Sequence, residues 1–401
     1  MLSEPITTKA EWPTLVNNKS LSYFDSAAST QTHISVLKRM NRYYENERCN
    51  VNRGDYEISQ KVSEDIERSR ESVADLLKCK PNNIVFTTGA TQGLNMVAEW
   101  NKDAPVVFIS EAEHTANILP WIVQGRTIEN GRLIVLPLTD NGMISTSEAV
   151  KLFKNHPHSI LSIHSHSNVT GIPTDYKGLT RAAHSHGIKV CIDACQTIGT
   201  HEFDLFSVDY AVFSGHKMYG PTGVGVLYGR LDWTKHRALQ QGGDTINHYD
   251  FSGNVDFKEG PTKHEPGTLN IAGILGLGVA AEYIKWVGYN EITRYMQKVD
   301  LELSDAGLFN VDGLKLLYPN YRQNGRHVYS FNCDGFHPSD LSAMLSLDNI
   351  AVRAGKLCAH PIVNRVSGGK GVLRVSPGIY TDKEDINNLV EGLCKAVKRL
   401  S

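Results

Sequence analysis

Short runs of β-branched and aliphatic residues recur through the first two thirds of the chain, separated by segments with apolar residues at helical spacing. The runs are Asn83–Thr88, Val106–Ser110, Leu133–Pro137, Ser159–His164, Lys189–Asp193, Tyr210–Ser214 and Gly223–Tyr228. Helical spacing marks Glu64–Leu77, Thr91–Trp100, Ser145–Phe153 and Tyr176–His186. Strands that are apolar throughout, rather than alternating, predict a sheet covered on both faces, and helices between them predict crossover connections. The expected fold class is α/β, with a large domain built on a mostly parallel seven-stranded sheet.

Beyond about residue 285 the pattern changes. It predicts a helix over Glu291–Leu308, strands near Leu314–Leu317, Tyr329–Asn332, Ala351–Ala354 and Val372–Val375, and helices over Pro338–Leu347 and Asp382–Leu400. This mixture reads as a smaller α+β unit. The expected division is a large domain over 22–284 and a small C-terminal domain over 285–401, with residues 1–21 packing on the latter. The apolar stretch Ile271–Ala281 is too short to span a bilayer and reads as a buried helix.

Charge narrows the partners. The 41 Lys and Arg against 43 Asp and Glu leave a net charge of −2, which gives no reason to expect nucleic acid or an anionic membrane as the main ligand. The N-terminus has no basic segment followed by an apolar one, so no secretory signal is read and a cytoplasmic location is expected. The seven cysteines are odd in number and scattered, as expected of free thiols in a reducing compartment. The pairs Cys191/Cys195, His164/His166 and His184/His186 lack the further ligands of a closed zinc site, so no metal is expected.

In parallel sheets ligands sit outside the carboxyl ends of the strands. Several predicted strands end in chemistry there: "FTTGATQG", "FISEAEHTANILPW", "SIHSHSNVTG", "CIDACQ" and "VFSGHK". The first is a strand, a small-residue turn and a helix start, an arrangement whose free amides suit a phosphate. Asp193 closes an apolar strand, where a carboxylate is costly unless it faces a cation such as a protonated pyridine nitrogen. Lys217 follows another strand; an amine held in a desolvated site beside other cations becomes a nucleophile for aldehydes.

Taken together, these segments resemble the pyridoxal-phosphate enzymes of fold type I, aminotransferase class V, and within them the group II (SUF-type) cysteine desulfurases. The resemblance runs through "YFDSAAST", "NVNRGDYEIS", "FTTGATQGLNMVA", "EHTANILPW", "NVTGIPT", "CIDACQ", "SGHKMYGPTGVGVLYG", "GGDTI", "HEPGTLNIAGILGLG", "VRAGKLCAHP" and "LRVS", in that order. It implies pyridoxal 5'-phosphate as cofactor, with Lys217 as its covalent partner and proton carrier, Asp193 at the ring nitrogen, His114 stacked on the ring and Gln196 at the ring oxygen. Phosphate contacts would come from Ala90, Thr91, Ser214 and His216, with Thr268 supplied by a second subunit. Asn168 and Arg374 would hold the carboxylate of L-cysteine, a guanidinium matching it bidentately, with Asn52, Arg353 and Ala28 also near the substrate. Cys358 matches the nucleophile that takes the sulfur as a persulfide, leaving L-alanine. Arg353, Lys356 and His360 lie near it in sequence, and such cations favour a thiolate.

The resemblance further implies a homodimer with active sites near the subunit interface and a sulfur-acceptor protein. The sulfur's destination stays open between iron–sulfur cluster assembly, tRNA thiolation and DNA modification. Another class V activity (selenocysteine lyase, epimerase or aminotransferase) and a weakly catalytic sulfur-relay scaffold are the competing readings. Two positions depart from the family pattern: Lys356-Leu357 stand where it has two histidines, and Asn52 stands before Arg53 where it has a histidine. The short segment between Arg353 and Pro361 favours group II over group I.

Overall fold

The structure is a computed structural model that describes residues 6–52, 54–230, 233–320 and 326–400. All seven apolar runs form strands of one sheet: Ile84–Thr87, Val107–Ser110, Leu133–Leu136, Ile160–His164, Lys189–Asp193, Tyr210–Ser214 and Gly225–Gly229. Numbered in that order, they lie side by side as 1-7-6-5-4-2-3. Six point the same way, while Gly225–Gly229 runs antiparallel to both its neighbours. Its direction follows from chain length. Ser214 and Gly225 are directly paired across the ladder, and the few residues between them are too short for a crossover helix. Buried side chains fill nearly every strand position, as a sheet covered on both faces requires.

Ile271–Val287 forms a helix whose residues are buried almost all round, so it is a core helix rather than an amphipathic one. It runs through residue 284 and breaks at Gly288 (φ 81°), where the chain turns 75° into the helix Tyr289–Asp305. Among the described residues no single helix is long and apolar enough to cross a membrane. The C-terminal part holds an antiparallel sheet ordered Leu314–Leu316, Tyr329–Cys333, Val372–Val375, Arg353–Gly355. Helices Pro338–Leu347 and Lys383–Leu400 pack together beside it.

The N-terminal segment touches both parts of the molecule. Trp12 is fully buried, edge-on to Tyr380 of the C-terminal part and to His33, Tyr219 and Tyr283. Lys9 pairs with Asp382 and Asp385, and Ser22–Tyr23 adds a parallel pair to Ile350–Ala351. An antiparallel hairpin, Ile246–Tyr249 with Val255–Phe257, projects with Phe251 wholly exposed at its turn.

A buried ion pair ties helix Glu57–Leu77 to the sheet edge. Arg70 donates to both carboxylate oxygens of Glu265 (2.7 and 2.9 Å) and to the Ile84 carbonyl, and Glu265 also accepts from the Phe86 amide at 2.7 Å. Both side chains are 2–3% exposed. Arg70 also donates to Glu67 at 3.0 Å, so it keeps a partner without Glu265, whereas losing Arg70 strands the buried Glu265 carboxylate out of water. Arg70→Met is expected to lower stability by about 3–5 kcal/mol in denaturant unfolding, with the double variant Arg70→Met/Glu265→Leu much closer to the parent.

Candidate active site

The carboxyl ends of the strands converge on one cavity of about 350 Å³. Asp193 and Ser214 close their strands, and His216 and Lys217 sit in the short 3-10 turn Gly215–Lys217 that follows. Ala90 and Thr91 open helix Ala90–Trp100, His114 comes from the turn after Val107–Ser110, and Asn168 from the loop after Ile160–His164. Ala28 enters from the N-terminal segment. Arg353, Cys358 and Arg374 come from the C-terminal sheet and the turn beside it.

Three sequence-predicted positions fall outside this lining. The Gln196 amide donates to the Ala27 carbonyl at 2.8 Å instead of reaching the cavity. Asn52, whose N–H donates to Ser63 Oγ, lines a separate cleft of about 550 Å³ with Glu67 and Arg70. Thr268 lines a third, of about 160 Å³, with Thr87, Thr88 and Gln92. Arg53 lies outside the described residues.

Three features of the cavity test what it can hold. Asp193 is 7% exposed, and its Oδ1 accepts from the Cys195 amide. It forms no ion pair among the described residues, so a buried carboxylate faces the cavity without its cation. Helix Ala90–Trp100 begins at Gly89 with no side-chain cap from that residue; its Ala90 amide donates to Ser214 Oγ at 2.9 Å and its Gln92 and Gly93 amides to the Gly89 carbonyl, which leaves the Thr91 amide open among the described residues. An uncapped helix start with hydroxyls beside it is a phosphate site. Arg374 is buried, with its Nε left without a hydrogen-bond partner. A group with a basic ring nitrogen, an aldehyde for Lys217 and a phosphate fits this donor set.

Both cavity histidines are neutral. Burial, and then Lys217, lower the His114 pKa. Its Nδ1 accepts from the Ala116 amide at 3.1 Å, so the ring proton rests on Nε2. Burial and Lys217 bring His216 down to about 4. Asp25, which the sequence reading did not single out, organises the cationic wall. It accepts from Arg353 Nε and Nη2 (2.6 Å to the latter) and from Arg374 Nη2 at 3.1 Å, while Arg374 Nη1 donates to the Asn168 carbonyl. Two guanidinium groups share one carboxylate, leaving a net positive charge beside the cavity.

Behind His114 lies a second unforeseen group. Glu113 is fully buried and accepts from Ser110, Asn117 and the His164 ring; burial alone would lower the His164 pKa, but the charge and hydrogen bond of Glu113, with the charge of Asp193, together raise it. Glu113 and Asn117 are visible in "EHTAN", but nothing in the sequence pairs them with His164 across two strands.

Cys195 and Cys358 both line the cavity. Cys195 is buried and burial pushes its thiol pKa up, as it does for Cys79 and Cys333, both to about 12. Cys358 is exposed. The nearby cation is Arg353, whose field includes Cys358; Lys356 turns away and donates to Asn364.

The aminotransferase class V family model matches residues 22–389, and the chain belongs to that family. Its relatives there are cysteine desulfurases. One from Synechococcus elongatus is 35% identical over 96% of this chain but only 61% of its own length. One from Klebsiella pneumoniae is 34% identical over 98% of both chains. Among solved structures, the apo cysteine desulfurase of Thermococcus onnurineus NA1 superposes with a TM-score of 0.88 at 29% identity over the whole of both chains. An Escherichia coli cysteine desulfurase in its S-sulfonic acid form gives 0.86 at 30% identity, again over both whole chains.

Beneath the site, the rings of His166, His201 and His327 cluster with centroids 4.9–5.9 Å apart. Burial lowers all three pKa values, to about 4 for His201 and about 3 for His327, where Arg326 and Arg374 add to the effect. The folded values lie below the ordinary 6.5, so the unfolded chain binds more protons in acid. The stability of the neutral cluster is complete above pH 6.5 and is lost as pH falls toward 4 and 3. His201→Phe is expected to reduce proton uptake on unfolding between pH 6.5 and 4 by about one and to move the acid midpoint downward. An unchanged midpoint would remove the cluster from acid unfolding.

Proposed function

We propose that this chain is a pyridoxal-phosphate-dependent cysteine desulfurase that takes sulfur from free L-cysteine onto Cys358 and releases L-alanine. The carrying observation is that an amine (Lys217), a buried carboxylate without a cation (Asp193), a cationic wall (Arg353 and Arg374) and an exposed thiol (Cys358) line one cavity. Pyridoxal phosphate, when bound, supplies an aldehyde carbon and an electron sink for charge at the substrate α-carbon.

The residues divide the remaining work. Thr91, Ser214 and His216 would hold the phosphate, with Ala90 supplying the helix start. Asp193 would keep a proton on the ring nitrogen, since a bare carboxylate in a buried site favours a cation beside it. His114, whose Nδ1 is held by the Ala116 amide, would stack on the ring. Arg374 would receive the substrate carboxylate, with Arg353 adding to the field and Ala28 and Asn168 completing the wall. Lys217 carries the proton between α-carbon and product. Cys358 attacks the substrate sulfur. An S–S bond forms, the substrate's C–S bond breaks, and the proton balance closes as L-cysteine plus thiol gives L-alanine plus persulfide.

The placement of Asn52 and Thr268 in separate clefts supports a homodimer in which a second copy brings such residues to the site. The fully exposed Phe251 at the hairpin turn is an apolar group that such a copy would cover. The exposed thiol supports transfer to a separate sulfur-acceptor protein, and seven unpaired cysteines support a reducing, cytoplasmic setting. The short segment after Arg353 supports the group II type.

Purified protein loaded with pyridoxal phosphate is expected to be yellow and to release alanine from cysteine. Lys217→Ala should lose the absorbance band and lower turnover by roughly 10²-fold or more. Cys358→Ser should keep the band and lose persulfide formation. A wild-type protein that gains no absorbance with the cofactor contradicts the proposal.

A further inference from the structure

Cys358 and the residue before it have an unusual backbone. Leu357 (φ 52°) and Cys358 (φ 51°) are consecutive left-handed residues, and neither is glycine. Such a pair persists only where its surroundings hold it. The holding contacts are few and identifiable. The Leu357 side chain is buried in a small apolar cluster with Ala112, Val169, Leu317, Ile362 and Val363. The Leu357 carbonyl accepts from Asn168 Nδ2 at 2.8 Å. The Cys358 carbonyl accepts twice from one residue: the Thr115 amide at 2.6 Å and the Thr115 hydroxyl at 2.7 Å.

Thr115 directly follows His114, and the same turn grips the cysteine segment again farther on. The Glu111 carbonyl accepts from the Ile362 amide at 3.1 Å, and the Glu111 carboxylate pairs with Arg365. The turn that presents the cavity histidine is therefore the clamp on the segment that presents the thiol. Glu111 acts one helical turn beyond Cys358, and Thr115 acts at Cys358 itself. Thr115 itself does not line the cavity, although its neighbours His114 and Ala116 do.

We infer that Thr115 is the positioning residue for Cys358. Its hydroxyl and amide hold the left-handed pair so that the thiol stays at the cavity mouth in register with His114. This assignment rests on Cys358 as the sulfur acceptor. The hydroxyl is the part a substitution removes, because the amide contact persists in any variant. Losing it frees residues 357 and 358 to relax toward negative φ and takes the thiol out of line.

Thr115→Val removes the hydroxyl at nearly constant shape, and Thr115→Ser keeps it. Val is expected to lower kcat for alanine release about 2- to 10-fold, the factor one hydrogen bond carries, with KM for cysteine essentially unchanged. It is also expected to speed amide hydrogen exchange across 355–360 while global unfolding stays put, and Ser should restore both readouts. Thr115→Ala makes the same test if Val perturbs packing. Wild-type exchange in Val and Ala overturns the clamp, and faster exchange with unchanged kcat overturns its part in the reaction. Exchange is read without turnover, so wild-type protein that releases no alanine would count against Cys358 chemistry and leave the clamp still tested.

Discussion

A sheet covered on both faces can keep charged groups only at the ends of its strands, and the rest of this molecule follows from that constraint. Along the strands nearly every side chain is apolar and buried. Where they stop, Asp193, Ser214, Lys217 and the open start of helix Ala90–Trp100 face one cavity. Charge that would be costly within the sheet becomes, at its rim, a binding site lacking its counter-charge.

The second half of the site is assembled on that rim by Asp25. It draws Arg353 and Arg374 from the C-terminal sheet toward the N-terminal segment, where an Asp25–Ser376 bridge continues the same contact. One carboxylate between two guanidinium groups fixes both and leaves a surplus positive charge, which suits an amino-acid carboxylate. The thiol is placed by a different device, backbone carbonyls clamped by Asn168 and Thr115. The two devices meet at Asn168, whose carbonyl accepts from Arg374 and whose side chain donates to the Leu357 carbonyl.

The seven large-sheet strands were legible because each is a run of buried β-branched residues, a local signal. The reversed direction of Gly225–Gly229 was not, since direction depends on the short span from Ser214. The hairpin Ile246–Tyr249/Val255–Phe257 buries almost none of its side chains and helix His360–Ser367 is only eight residues long, and both went unread. Residues whose chemistry sits in a motif beside a strand end, such as Lys217, Asp193 and His114, were found at the cavity. Asp25 and Glu113–His164 depend on pairings between distant segments, which no local pattern carries. Gln196 was legible as a motif residue, but its amide is engaged by the Ala27 carbonyl, a contact visible only in three dimensions.

The central claim is that sulfur from cysteine lands on Cys358 rather than on the other thiol in the cavity. Peptide mapping after a single turnover with L-cysteine, before any reductant or acceptor is added, tests it directly. One added sulfur on the peptide containing Cys358, and none on that containing Cys195, is the predicted result. Sulfur on Cys195, or alanine released with no sulfur on Cys358, would contradict it.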